Sequence, residues 1–423
     1  MPRRADAPLS TAARQASPCL GAGSALLLLG CGAAPAPNKA TAWIPTAGET
    51  TVVVPGPGLP EGLELLPANN NLDVVEHEGA LFLAWRNAPN HFASEDTRLF
   101  VVRSDDGGDT WALEHSVHLG TDLREPRFLS TGAGLVLYYA ILGTSSIDFE
   151  PGGAERSLRA PDGTWSDGVP AFADAAPGIG GDTFIPWRAR WLGDVAMMIG
   201  YTGGGVLYDF ESGEGATTVQ WLGSEDGERW RPWAGADPVV LAGGTSETDL
   251  AVDGAGRVVA ISRNEAGDAE GFGSKVCVAE PEAPMDWRCV NDPRRYDSPL
   301  VFAHEGEIWL VGRRNLNDQD GAFDLGQDEL SPEQQSLAYS ADYWGWPKRC
   351  SLWRVDADRL AVDFVLDLDS RGDTCFPSVR WLGPHTAELW SYSSPLDGPD
   401  LPWLQAQVGP TVITRQIITF EPR

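Results

Sequence analysis

The chain of 423 residues carries 31 Lys and Arg against 60 Asp and Glu, a formal net charge of −29. A surface of that sign repels phosphate backbones and excludes nucleic acid as a partner. Its 42% hydrophobic residues suffice for a sizeable core, and 17 Trp, 48 Gly and 32 Pro beside few long helical patterns point to sheet and turn.

At the N-terminus Arg3, Arg4 and Arg14 precede an apolar run, Ala25 to Leu29, that ends in Gly30-Cys31. The run is far too short to span a bilayer and reads as a signal that is removed. Leu28-Leu29-Gly30-Cys31 resembles the lipobox of a bacterial lipoprotein. That resemblance implies lipidation of Cys31 and an exported protein held at the cell envelope, at the outer membrane or cell surface, by this anchor alone. Residues 1–30 are then signal peptide. Residues 31–60 hold a tether, with Ala33 to Pro37 flexible, and a strand at Thr50 to Val54 that can close a ring beside the final run, Val412 to Phe420.

From residue 61 onward the chain repeats itself. Six times a polar lead-in, an apolar strand, a Gly-like break and a second apolar strand recur. The stretches are NNNLDVVEHEGALFLAWRN, LREPRFLSTGAGLVLYYA, GDTFIPWRARWLGDVAMMIGY, SETDLAVDGAGRVVAISRN, YDSPLVFAHEGEIWLVGRRN and GDTCFPSVRWLGPHTAELWSY. Their starts, near Asn71, Glu125, Asp182, Glu247, Asp297 and Asp373, are roughly 50 to 76 residues apart, which fits a four-stranded antiparallel unit. Lone sheets of this kind expose two faces and two edges. Packing six of them radially covers the faces, so the expected fold is all-β, a six-bladed propeller over 61–423.

Within the first repeat, SDDGGDTW (Ser104 to Trp111) follows an apolar strand. Asp106 can accept backbone N–H groups, Gly107 and Gly108 permit positive φ, and Trp111 folds back as a plug. Weaker copies are SEDGERW (Ser224 to Trp230), SADYWGW (Ser340 to Trp346) and PDGTW (Pro161 to Trp165). Apart from Cys19 and Cys31, four cysteines remain. Cys277 and Cys289 flank a hairpin-like segment, KVCVAEPEAPMDWRCV, which leaves Cys350 with Cys375. No CxxC or paired-His spacing supports zinc, and the histidines of HSVH (His115 to His118) have no ligating neighbours.

SxDxGxTW resembles the Asp-box of the bacterial neuraminidase repeat, and the chain from about residue 60 to its end is similar to the sialidase superfamily. The resemblance implies a peripheral box and a site elsewhere. That site would hold three arginines for a substrate carboxylate, a tyrosine nucleophile polarised by a glutamate, and an aspartate acid/base. GRVVAISR (Gly256 to Arg263) looks like the segment ending in a triad arginine, Arg263. Glu247 falls where the polarising glutamate belongs, with Asp249 its competitor, and GRRN offers Arg313 or Arg314. The first arginine's place reads Asn69-Asn70-Asn71-Leu72, so Arg86, Arg124 or Arg127 must substitute. Glu95 and Asp96 supply an acid, but Phe376 stands nearest the nucleophile's place, and Tyr392 lies one strand beyond it.

The acidic lead-ins converge on one end of the propeller axis, the usual place for a ligand. Asp182, Asp297 and Asp373, with Glu125, Glu247 and the nearby Arg294 and Arg295, could bind sugar hydroxyls or run a two-carboxylate hydrolysis. They could also hold a structural divalent cation such as calcium, and no other cofactor is expected. The function expected is that of a monomeric, glycan-active protein with an incomplete sialidase site, a glycoside hydrolase or else a non-catalytic binder of a surface glycan or protein. The partner is a carbohydrate or glycoconjugate.

Overall fold

Strands form where the β-branched and aromatic residues of each repeat alternate, and turns between them fold the chain back antiparallel. The computed structural model describes residues 42–146, 150–203 and 217–423; the signal, Cys31 and the Ala33 to Pro37 tether lie outside the described residues. β1 (Trp43–Val54) is first in the chain but belongs to the last sheet. Blade one is β2 (Ala68–His77), β3 (Ala80–Ala88), β4 (Arg98–Ser104) and β5 (Ala112–Val117). Blade two is β6 (Asp122–Thr131), β7 (Gly134–Leu142), β8 (Pro151–Arg159) and β9 (Val169–Pro170). Blade three is β10 (Ile185–Leu192), β11 (Val195–Gly203), β12 (Thr217–Ser224) and β13 (Arg231–Pro232), with β14 (Val239–Gly243) also on β12.

Blade four is β15 (Thr245–Val252), β16 (Val258–Asn264), β17 (Ser274–Ala279) and β18 (Arg288–Asp292). Blade five is β19 (Asp297–His304), β20 (Glu307–Asn315), β21 (Lys348–Asp356) and β22 (Ala361–Asp367). Blade six is β23 (Ser378–Gly383), β24 (Thr386–Ser393) and β25 (Val412–Pro422), completed by β1. The result is a six-bladed propeller of antiparallel blades. In the sixth blade Val52 lies opposite Thr414 and Trp43 opposite Pro422, so the chain's first and last strands share one sheet. Trp43 stacks on His385, in the β23–β24 turn, with ring centroids 4.5 Å apart.

The first strand of each blade lines the axis. Two carboxylates, Asp73 half-buried and Asp249 fully buried, clip these strands together. Asp73 accepts from the Phe128 N–H at 2.8 Å and the Ser378 hydroxyl at 2.7 Å, joining blade one to blades two and six. Asp249 takes the Arg190 guanidinium at 2.8 Å and the Val301 N–H at 2.7 Å, joining blade four to blades three and five. Asp249 is therefore a fastener within the sheet array rather than a strand-start residue of the site. Between the blades lie fully buried tryptophans, among them Trp85, Trp187, Trp309 and Trp390.

The turn at 104–111 is the fastener its sequence indicates. Asp106 accepts from the Thr110 N–H at 2.9 Å, the Asp109 N–H at 3.1 Å and the Ser104 hydroxyl at 2.7 Å, and Trp111 is buried against Trp390. Asp226 repeats the pattern between β12 and β13, accepting from the Glu228 and Arg229 N–H groups. SADYWGW does not. It lies in helix α1 (Pro332–Gly345), inserted between β20 and β21 and opened by Ser331 with Pro332 and a reciprocal Gln334, a capping box. A shorter helix, α2 (Trp403–Ala406), sits in the β24–β25 connection.

The cysteines pair as their spacing indicates, Cys277 with Cys289 across β17 and β18, and Cys350 with Cys375. Two disulfides fit a chain exported to an oxidising compartment. Among the described residues no helix is long and apolar enough to cross a membrane.

Candidate functional site

At one end of the axis the start of each first strand meets the end of each second strand, because a meander returns the chain to the same end. The first strands are bulged there. Register shifts fall between Asn70 and Leu72, Arg124 and Arg127, Thr245 and Thr248, and Asp297 and Leu300. Asn71, Glu125 and Ser298 accordingly take positive φ of 42°, 53° and 55°, a costly conformation for residues with a Cβ and one that recurs at functional sites. A bulge re-aims its side chains, and Glu125 and Glu247 both lie within one.

The second-strand ends supply Arg86, Tyr201, Arg263, Arg313 and Tyr392. Arg263 meets Glu247 at 2.8 Å, Glu265 at 2.6 Å, Asp297 at 3.5 Å and the Ser246 hydroxyl at 2.9 Å. Arg313 donates to Asp297 at 2.9 Å, to the Thr374 carbonyl, and to the Tyr392 hydroxyl at 3.4 Å. Asp297, fully buried, also takes Arg295 at 2.7 Å and the Tyr343 hydroxyl of α1 at 2.6 Å. Asp373, fully buried too, accepts from Tyr392 at 3.0 Å and Trp403 of α2 at 3.2 Å, and pairs with His91 at 2.8 Å. Both inserted helices thus send an aromatic side chain into the cluster. On the blade-one side Asp122 holds Arg86 at 2.7 Å and Arg124 at 2.5 Å, and Arg124 also donates to the His91 carbonyl.

These environments separate the carboxyls. Burial pushes Glu247 up to about 7; Arg263 opposes this, while Asp297 and Glu125 add to it by repelling its charge. The Ser298 N–H donates to its second oxygen at 2.6 Å. Burial raises Glu125 as well, against Arg127, Arg124 and the Asn71 amide that donates to it at 3.0 Å. Its other oxygen makes no hydrogen bond among the described residues. Burial would raise Asp297 too, but Arg295, Arg313 and Arg263 outweigh it and hold the carboxyl well below the usual range. Asp373 is likewise lowered, burial being outweighed by His91 and Arg313. Burial, and then Asp373, push the Tyr392 phenol well above its ordinary value. Glu125 and Glu247 are each 8% exposed, and Arg124, His91 and Glu265 in the same cluster are more open.

The remaining sequence candidates divide. Arg127 is buried deeper, its guanidinium 4.3 Å from the centre of the Phe376 ring and 3.9 Å from Glu125. Arg314 points away from Arg313, as alternate residues of a strand must, and pairs with Asp367 at 2.6 Å. Arg294 is taken by Asp292 at 2.7 Å. Asp182 is exposed, and so are Glu95 and Asp96 on the β3–β4 connection. It is His91, from that same connection, that reaches the cluster. Tyr392 was expected one strand too late for the site, yet its hydroxyl lies in it. Tyr343, Tyr201 and Trp403 were not singled out at all. The signal that could have found Tyr201 and Tyr392 is their position two residues short of, or one short of, the end of a second strand, the place Arg86, Arg263 and Arg313 also occupy within a residue. Among the described residues no group of three or more His, Cys, Asp or Glu side chains is arranged to hold a metal ion.

No protein-family model matches the chain, and no curated protein matches it. Solved structures do. A protein of unknown function from Dyadobacter fermentans superposes with a TM-score of 0.56 at 14% identity, over 89% of this chain and 99% of that one. The phage phi92 endosialidase superposes with a TM-score of 0.55 at 10% identity, over 89% of this chain and 70% of its own. Trypanosoma rangeli sialidase bound to the inhibitor DANA gives 0.53 at 13% identity over 88% of this chain, which spans 60% of that enzyme's length. The likeness at such identities is one of fold: a six-bladed propeller with structural neighbours among sialidases and endosialidases.

Proposed function

We propose that this chain is an exported, lipid-anchored monomer that acts on glycans, cleaving a glycosidic bond at the axial cluster with Glu247 as the proton donor. The observation that carries the reading is the Glu125–Glu247 pair. Two carboxyls lie in bulges at one end of the axis, and burial favours the protonated form of both, Glu247 being pushed up to about 7. Glu247 delivers its proton to the glycosidic oxygen as the bond to the anomeric carbon breaks, and a water then adds to that carbon and loses its proton to the Glu247 carboxylate, with Glu125 beside it. Asp297 and Asp373 are enclosed and serve to orient Arg263, Arg313 and Tyr392.

A neutral sugar suits the mouth better than a sialoside. Arg86, Arg124, Arg127, Arg263, Arg295 and Arg313 face Asp122, Glu125, Glu247, Glu265, Asp297 and Asp373, guanidinium for carboxylate. A substrate carboxylate would have to displace one of these partners. Glycan binding without hydrolysis is the second reading, favoured by Phe376, a phenyl ring where the resemblance expects a nucleophile.

The test is release of a fluorescent leaving group from a sialoside and from a panel of neutral glycosides. A neutral glycoside should be cleaved, and Glu247→Gln should lower the rate by about 10² to 10⁴. Sialoside cleavage that survives Glu247→Gln would sink the assignment. Retention on a glycan array with no release from any substrate would establish the binding reading instead.

A further inference from the structure

A second polar recess backs onto the axial cluster. A depression of about 540 Å³ opens between blades five and six, walled by Arg349, Asp367, Arg371 and Asp400. It shares backbone with the cluster: Arg314 follows Arg313 on β20, Arg371 stands two residues before Asp373, and Arg349 precedes Cys350, whose disulfide partner Cys375 follows Thr374.

The walls are built from planar pairs. Arg349 meets Asp400 at 2.8 and 2.7 Å, and Arg314 meets Asp367 at 2.9 and 2.6 Å, both two-pronged. Arg371 spends Nε and Nη1 on the carbonyls of Pro395 and Pro399, and its Nη2 has no partner among the described residues. A Cβ at position 398 would stand 2.2 Å from that Nη2, so Gly398 is what leaves the edge open.

The lining holds two guanidiniums, Arg349 and Arg371, and three carboxylates, Asp367, Asp369 and Asp400, and Arg314 adds a third positive charge through its pair with Asp367. An anion would meet the carboxylates and a cation the arginines, whereas sugar hydroxyls, donor and acceptor at once, can use both. The volume falls within the range of small-molecule sites, about 300 to 1,000 Å³.

We infer that this recess is a second saccharide subsite, holding a neutral sugar unit that extends outward from the ring bound at the axial cluster. The inference rests on the glycan reading of that cluster. It is tested on the Glu247→Gln protein with an array of neutral mono- to tetrasaccharides, alongside hydrolysis by the wild type. Longer chains should bind about ten-fold tighter than their terminal monosaccharide, the worth of one added sugar's contacts at about 1.4 kcal/mol. Arg349→Ala with Asp400→Ala should erase that length advantage and leave the monosaccharide signal. Gly398→Ala, which crowds Arg371 from the recess wall, should do the same. A length advantage that survives both variants overturns the subsite, as does its absence from the parent protein. If the wild type still cleaves a monosaccharide glycoside in that case, only the subsite falls; if nothing binds or is cleaved, both readings fall together.

Discussion

Replacing Glu247 by Gln should change how the protein's stability responds to pH. The folded carboxyl titrates at about 7 against an ordinary value of 4.5. Below 4.5 the group is protonated in both states and contributes nothing. Between 4.5 and about 7 the unfolded chain ionises while the folded one keeps its proton, so the folded state loses ground as pH rises. At about 1.4 kcal/mol per pH unit the full loss is about 3 kcal/mol. Gln keeps an oxygen for the Ser298 N–H and stands in for the neutral acid, and Arg263 retains Glu265 and Asp297. The variant should therefore match the wild type near pH 4.5 and exceed it by about 3 kcal/mol near pH 8. Urea unfolding across that range reads the difference directly. Parallel stability curves for the two proteins would refute the raised pKa of Glu247, and with it the proton-donor role.

If Glu247 is the proton donor, kcat/KM on a neutral glycoside should fall as pH rises through about 7; a flat profile to pH 9 would exclude it. Tyr392→Phe removes a hydroxyl shared by Asp373 and Arg313 and should cost about 1 to 3 kcal/mol, measured by urea unfolding, while most activity remains. Loss of all activity would make that hydroxyl the nucleophile. Asp106→Ala should lower the melting temperature and leave kcat/KM unchanged, because the turn it closes lies between outer strands. Replacing Cys350 and Cys375 by Ala opens a cross-link spanning 25 residues and should cost about 3 kcal/mol in unfolding experiments. Activity should fall with it, since Cys375 follows the Thr374 carbonyl that receives Arg313.

The propeller was legible because each blade must turn its strands at similar places, and Gly-rich breaks and apolar pairs record this in the chain. The insertion at α1 was not: SADYWGW carries the serine, acid and tryptophan of the outer turn, but the capping signal at Ser331 and Gln334 prevails over it. Half of the site followed from the acidic lead-ins to the first strands, Glu247, Asp297 and Asp373. The rest came from second-strand ends, where a fixed alternation sends Arg313 inward and Arg314 outward, a choice composition cannot make. His91 and Tyr343 reach the cluster from connections, whose paths no strand pattern dictates. Asp249 was misplaced because two residues along a bulged strand is enough to turn a strand-start carboxylate into a clip between blades.

The pairing of β1 with β25 also makes one latch of two strands far apart in sequence. β25 departs from the cluster's end at Val412 and arrives at the remote end with Pro422, where Trp43 meets it and stacks on His385. The sixth blade is thus held shut by its pairing of β1 with β25, and loosening either strand unlatches it.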